Sequence, residues 1–200
     1  PRSSVRSAEN TIIYTITIEY VYAASSQFVG QRVALPYIAQ IAQGDSPPAD
    51  TAIPSPTCVG YSADRESVNL KNHFSAELTN GIQSNLSLTV YYSPAEVSYT
   101  VRHYQQNVDD DDYTWVDTNV RNAKTESLTN AEGNHPENTY EGFKHLPHYP
   151  EQVAADSSTM IDIYYDRVYY LMEFDLGGGR VVTAYECAGH SAGEMIFLDH

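Results

Sequence analysis

Cysteine is almost missing from this chain: Cys58 and Cys187 are the two it has. They fall in different parts of an internally repeated sequence, so neither part can rely on a disulfide of its own. Basic residues are also few. Eleven Lys and Arg stand against 26 Asp and Glu, leaving a net charge of −15. A surface without a basic stripe cannot neutralise phosphates, which excludes nucleic acid as the natural partner and argues against docking on anionic lipid. No apolar run approaches the roughly 18 residues of a membrane-spanning helix, so no membrane-inserting segment is read. Leucine and lysine, good helix formers, are thinly spread. One tryptophan contrasts with 17 tyrosines, and tyrosine suits a pleated, half-exposed surface because it has an apolar face and a polar tip. With 42% hydrophobic and 18% charged residues, the chain folds, and the expected class is mainly β or α+β.

What the chain does have is repetition. Thr15-Ile-Thr-Ile-Glu-Tyr-Val-Tyr22 is answered by Tyr99-Thr-Val-Arg-His-Tyr104. Each stretch is followed by a Gly-aromatic step, Gly60-Tyr61 and then Gly142-Phe143. Each copy closes on paired tyrosines, in Ser87-Leu-Thr-Val-Tyr-Tyr92 and Met160-Ile-Asp-Ile-Tyr-Tyr165. A third opening follows in Val168-Tyr-Tyr-Leu-Met-Glu-Phe174. Landmarks repeated in fixed order mark an array, which serves reach or multivalent contact more often than a single catalytic pocket.

Residues 12–22 alternate Ile and Val with Thr, Tyr and Glu, the period-2 pattern of a half-buried strand. Residues 31–43 read as a second strand, placed at an edge or bulged because Pro36 cannot donate to a central ladder. A short helix is expected around 73–80, capped by Asn72 or Ser75. Residues 86–92 form a closing strand, and Ser93-Pro94-Ala95-Glu96 reads as a short, proline-stiffened linker. Residues 97–106 and 113–120 read as a hairpin around an acidic loop. A polar stretch at 121–140 with one helical turn and a closing strand at 159–167 complete the second copy. The chain starts at Pro1 without methionine or signal peptide and is read as a piece of a longer, exported chain.

In order and pairing, these landmarks resemble the mucin-binding-protein (MucBP) repeats and the related internalin B-repeats of Gram-positive surface proteins. The resemblance is carried by Tyr99-Thr-Val-Arg-His-Tyr-Gln-Gln-Asn107, the acidic turn and Tyr113-Thr114, and by Ile163-Tyr-Tyr-Asp-Arg167 leading into Tyr170-Leu-Met-Glu-Phe-Asp-Leu-Gly-Gly178. Val59-Gly-Tyr61 and Val90-Tyr-Tyr-Ser-Pro94 match more weakly. It implies tandem β-grasp, ubiquitin-like modules in an elongated arrangement. Their expected bounds are a linker at 1–10, repeats at 11–94 and 95–167, and the start of a further B-repeat-like segment with a divergent tail at 168–200. It further implies a secreted protein of the bacterial surface or cell wall. Its role would be that of an adhesin binding mucin glycans or extracellular matrix proteins; a stalk presenting a distal domain is the alternative.

Five tyrosines are the candidate binding residues, since sugars stack their C–H faces on aromatic rings. Tyr14, Tyr20 and Tyr22 share parity on one strand. Tyr91 and Tyr164 come from the paired tyrosines, where neighbours face opposite ways and one of each pair belongs to the core. Asp109, Asp110, Asp111 and Asp112 are candidate calcium ligands, but consecutive carboxylates on extended chain do not converge and the EF-hand spacing is absent. A solvated hairpin turn is the plainer reading, and no other cofactor is expected. His145 and His148, with His135 nearby, fall short of a zinc ligand set and read as an exposed loop. Gly189-His-Ser-Ala-Gly193 matches the nucleophile-elbow string, yet no βα units precede it and too little chain follows to complete a triad. The chain is read as non-enzymatic.

Overall fold

The computed structural model describes residues 11–45, 52–79, 81–130 and 136–169. The third repeat opening beyond 169, Cys187 and the Ser191 string lie outside the described residues. The fold is mainly β. Its chain divides into two compact units. Of the described residues, the first holds those through Ser98 together with Asn122–Leu128 and Gln152–Ser158; the second holds those within Tyr99–Arg121 and Thr129–Glu151 and from Thr159 to Tyr169.

The first unit is built on strands β1 (Ile13–Tyr22), β2 (Arg32–Ala42), β4 (Tyr61–Ala63) and β6 (Leu86–Pro94), ordered β2-β1-β6-β4. A two-stranded ribbon of β3 (Ala52–Pro54) and β5 (Ser67–Asn69) leads to two short helices, α1 (Leu70–His73) and α2 (Ser75–Thr79). Strand alternation does the sorting: Ile16, Ile18 and Tyr20 of β1 and Leu88, Val90 and Tyr92 of β6 bury their side chains with Ile41, Val68, Leu70, Phe74 and Ile82. Each such side chain contributes roughly 1.5–3 kcal/mol when fully buried. The edge position expected of β2 is observed, and the bulge with it: Ile18 pairs with Tyr37 and Tyr20 with Ala34, leaving Leu35 and Pro36 opposite Glu19. The expected helix is present but arrives earlier and broken. Asn69, not Asn72 or Ser75, is the cap of α1, accepting from the Asn72 N–H at 3.0 Å.

Segment 122–128 is tied into this unit by Glu126. Its carboxylate accepts from Ser26 Oγ at 2.7 Å, the Gln27 N–H at 2.8 Å and Tyr61 Oη at 2.5 Å. Burial pushes the Glu126 carboxyl up, but these three donors outweigh it and hold its pKa below the ordinary value.

The second sheet runs β8-β7-β10-β9, from β7 (Glu96–Gln106), β8 (Tyr113–Lys124), β9 (Phe143–His145) and β10 (Met160–Arg167). The order repeats that of the first sheet. In both, the opening strand pairs in parallel with the closing one: Ile16↔Leu86 through Tyr22↔Tyr92, and Thr100↔Met160 through Gln105↔Tyr165. In both, the Gly-aromatic step starts a short strand antiparallel to the closing one, with Tyr61 opposite Pro94 and Phe143 opposite Arg167. Gly60 and Gly142 both take φ near +75°, a left-handed turn that other residues enter only with strain.

Two local expectations change. The stretch 93–96, read as a linker, is strand on both sides of Ala95. Strand β8 continues to Lys124, where a polar stretch was expected; polar residues alternate well on a solvated strand.

The core of the second unit is partly polar. His103 is fully buried beside Tyr99, Val101, Ile161, Ile163 and Tyr165. Its Nδ1 lies 3.0 Å from Tyr165 Oη and its Nε2 3.0 Å from Asn119 Oδ1. Asn138 closes the network, its backbone N–H donating to Tyr165 Oη at 2.7 Å and its amide to Asn119 Oδ1 at 2.7 Å. Burial lowers the His103 pKa and pushes the Tyr165 phenol up to about 12.

Candidate functional site

Because Val101, His103, Ile161, Ile163 and Tyr165 point inward, the residues between them must face the other way. That outward face of the second sheet carries Arg102 and Tyr104 from β7 and Asp162, Tyr164 and Asp166 from β10. The parallel register sets Arg102 opposite Asp162 and Tyr104 opposite Tyr164. The two tyrosine rings stack, with centroids 5.1 Å apart and planes 22° from parallel. Tyr113 of β8 meets Tyr164 edge-on at 5.1 Å and donates its hydroxyl to Asp166 Oδ1 at 2.5 Å. Arg102 reaches Asp162 with both prongs, Nε to Oδ1 at 2.6 Å and NH2 to Oδ2 at 2.7 Å, and its Cζ lies 5.8 Å from the centre of the Tyr104 ring.

The result is an aromatic platform edged by paired charges. Tyr164 is 38% exposed; Tyr104, Tyr113 and Arg102 are half-buried. The hydrogen bond to Asp166, helped by burial, pushes the Tyr113 phenol up to about 12. The hydrogen bonds to Asp162 raise the Arg102 pKa. The tyrosine rings offer flat C–H-stacking area, while guanidinium and carboxylates offer directional hydrogen bonds around it.

Of the five tyrosines expected to bind, the structure places Tyr164 in this platform. Tyr20 is corrected to core: it is 3% exposed, because parity with Ile16 and Ile18 turns it inward. Tyr14 is half-buried against the same core. Tyr22 packs on Phe28 at 5.4 Å and Tyr61 at 4.9 Å, with its hydroxyl 3.7 Å from Cys58 Sγ; burial, then Cys58 and Glu126, push it up to about 12. Tyr91 is 48% exposed but stands opposite Val21 and not another ring. Its backbone N–H is held by Asp64 Oδ1 at 3.0 Å. Tyr92 and Tyr165 are the buried members of the tyrosine pairs.

The Asp109–Asp112 turn is exposed. Asp110 Oδ1 accepts from Asn107 Nδ2 at 2.7 Å and from the Asp112 N–H at 2.9 Å, so this carboxylate closes the loop. Tyr104, Tyr113, Arg102, Asp162 and Asp166 were not singled out from the sequence. The signal was present in part, because all but Tyr113 sit at alternate positions of two stretches already read as strands, 97–106 and 159–167.

No protein-family model matches the chain, and no curated protein does. Among solved structures, its neighbours are mucus-related repeats. A MucBP domain of a Lactobacillus acidophilus protein is 22% identical, covers 42% of this chain and 91% of its own length, with a TM-score of 0.27. The type 2 repeat of the mucus binding protein MUB from Lactobacillus reuteri is 11% identical over 78% of this chain and 100% of its own, with a TM-score of 0.23. Mub-RV is 16% identical over 78% of this chain and 99% of its own, with a TM-score of 0.18.

Proposed function

We propose that this chain is a non-enzymatic, glycan-capturing module of a bacterial surface adhesin, and that the second unit carries the contact. The observation behind this reading is the Tyr104–Tyr164 stack on an outward sheet face, rimmed by Arg102, Asp162 and Asp166. A sugar lays its C–H face on such rings while its hydroxyls find charged acceptors and donors. The sequence resemblance to MucBP repeats supplies the ligand class, mucin-type glycans or extracellular matrix proteins, and the setting, a secreted or wall-attached Gram-positive protein. It also supplies the reading of each unit as β-grasp-like, which the parallel pairing of opening and closing strands supports. Weak single contacts gain avidity when modules are repeated along a chain.

The test is capture of mucins and defined glycans by the chain, with and without calcium, the latter addressing the Asp109–Asp112 turn. Saturable binding that falls roughly tenfold or more in Tyr164→Ala or Tyr104→Ala supports the platform. Binding that survives both substitutions would move the contact elsewhere.

A spacer is the second reading. The same side chains also satisfy one another across strands, and such pairs stabilise a sheet with no ligand present. Folded protein that captures nothing across the panel selects it.

A further inference from the structure

Three ligand-type side chains of the second unit converge where the sequence suggested only an exposed loop. Glu137 follows Pro136, His145 ends β9, and His148 sits between Pro147 and Tyr149. One ligand atom from each lies within 4.8 Å of the others. His148 Nδ1 and Glu137 Oε1 are 3.5 Å apart. Two ligands on a tetrahedral zinc ion, with bonds of about 2.0–2.2 Å, stand roughly 3.3–3.6 Å from each other, so one edge of a coordination tetrahedron is already in place.

The state of His148 points the same way. Its side chain is 14% exposed and that of Glu137 20%. Its Nε2 is sealed from solvent and has no hydrogen-bond partner among the described residues, while its Nδ1 stands off the carboxylate at a distance too long for a good hydrogen bond. Polar side-chain atoms buried this deeply are nearly always satisfied. A cation on Nδ1, shared with Glu137, supplies that nitrogen with the partner that the carboxylate approaches only at 3.5 Å. His145 is exposed; its ring lies edge-on to Tyr165 at 6.5 Å and makes a long, 3.4 Å approach to its neighbour's carbonyl, Leu146 O, so it can turn inward at little cost. The surrounding backbone is stiff: Pro136, Pro147 and Pro150 fix their own φ angles. Asn138 beside Glu137 is held by Tyr165, and His145 pairs in register with the same Tyr165.

We infer that Glu137, His145 and His148 form a binding site for a divalent transition-metal ion, with zinc(II) the best fit. Two imidazoles with one carboxylate are the donor set of a borderline ion, whereas calcium and magnesium take oxygen shells. Three protein ligands leave a fourth position for water or for a ligand from a partner. Among the described residues, the first unit has no counterpart of this set, since Ala63 stands opposite Tyr92 where His145 stands opposite Tyr165.

The test is titration of the whole chain, free of any histidine tag, with zinc(II) by calorimetry and with cobalt(II) by visible absorption. The expected result is a single site, a tetrahedral cobalt spectrum and no comparable response to calcium. His145→Ala, His148→Ala and Glu137→Gln should each weaken binding by more than the roughly 10–100-fold that loss of an outer-shell partner costs. His73→Ala, in α1, should leave binding unchanged. His145 is exposed, so its variant keeps the fold, which near-ultraviolet circular dichroism verifies. No uptake by folded wild type, or uptake that His145→Ala and Glu137→Gln both retain, overturns the assignment.

Discussion

The two units share a sheet plan but spend their equivalent positions differently. Where the first sheet buries Tyr20 in an apolar core, the second buries His103, a group that needs partners on both ring nitrogens. Where the first sets Val21 opposite Tyr91, the second sets Tyr104 opposite Tyr164 and gains a stacked pair. Where the first has Ala63, the second has His145. A repeat can thus keep its strand order while one copy acquires polar chemistry, because order depends on alternation and turns, whereas chemistry depends on single side chains at fixed register.

The largest expected effect breaks the comparison at the Gly-aromatic step. Both glycines have φ near +75°, but a Cβ on Gly60 would come within 2.6 Å of Ala155 backbone and side-chain atoms, while among the described residues no atom lies within 4 Å of one on Gly142. Gly60→Ala should cost roughly 2–5 kcal/mol, strain and overpacking together. Gly142→Ala should cost only about 1–2 kcal/mol of strain. Urea unfolding followed by amide hydrogen exchange reads each unit separately, and equal costs would show that the close approach to Ala155 does not matter.

Acid should separate the units next. His103 has a folded pKa lowered from its ordinary 6.5 by burial, with Asp117 favouring the charged ring and Arg121 opposing it. The unfolded chain therefore takes up this proton more readily. The stabilisation from neutral His103 is full above pH 6.5 and is lost as pH falls toward the folded pKa. Glu126 in the first unit is a lowered carboxylate whose contribution is present above its ordinary 4.5 and lost below that, as pH falls through the folded pKa. Melting followed by the fluorescence of Trp115, the chain's one tryptophan, should report weakening of the second unit between pH 7 and 5, before exchange shows any in the first. His103→Leu should flatten that profile and cost about 1–3 kcal/mol at pH 7, because Tyr165 and Asn119 lose a partner.

The smallest stability effect sharpens the comparison of surfaces. Tyr164→Ala removes a cross-strand ring pair and should cost about 0.5–1.5 kcal/mol; Tyr91→Ala, opposite Val21, should cost about 0.2–1 kcal/mol. Only the first should reduce glycan capture. A loss with Tyr91→Ala that matched the loss with Tyr164→Ala would place the contact on both sheets.

What was legible from the sequence follows from short-range rules. Period-2 alternation marked β1, and repeated landmarks marked β6, β7 and β10; Pro36 marked an edge or a bulge; the tyrosine pairs marked one buried and one outward ring each. The same parity reading put Tyr14, Tyr20 and Tyr22 on one face without saying which, and that face turned out to be the core. The Arg102–Asp162 pair spans 60 residues of chain, and Glu137 meets His145 and His148 only because a proline-rich loop returns to the edge of the sheet.

By itself, then, the sequence determined the mainly β class, the repeated order of landmarks along the chain and the alternation within its clearest strand, since these depend on neighbours a few residues apart. Tertiary structure alone decided which tyrosine reaches solvent, that Glu126 joins the first unit, and that a carboxylate and two histidines share one corner of the second. Parallel register and loop return set those proximities, and neither is written in local spacing.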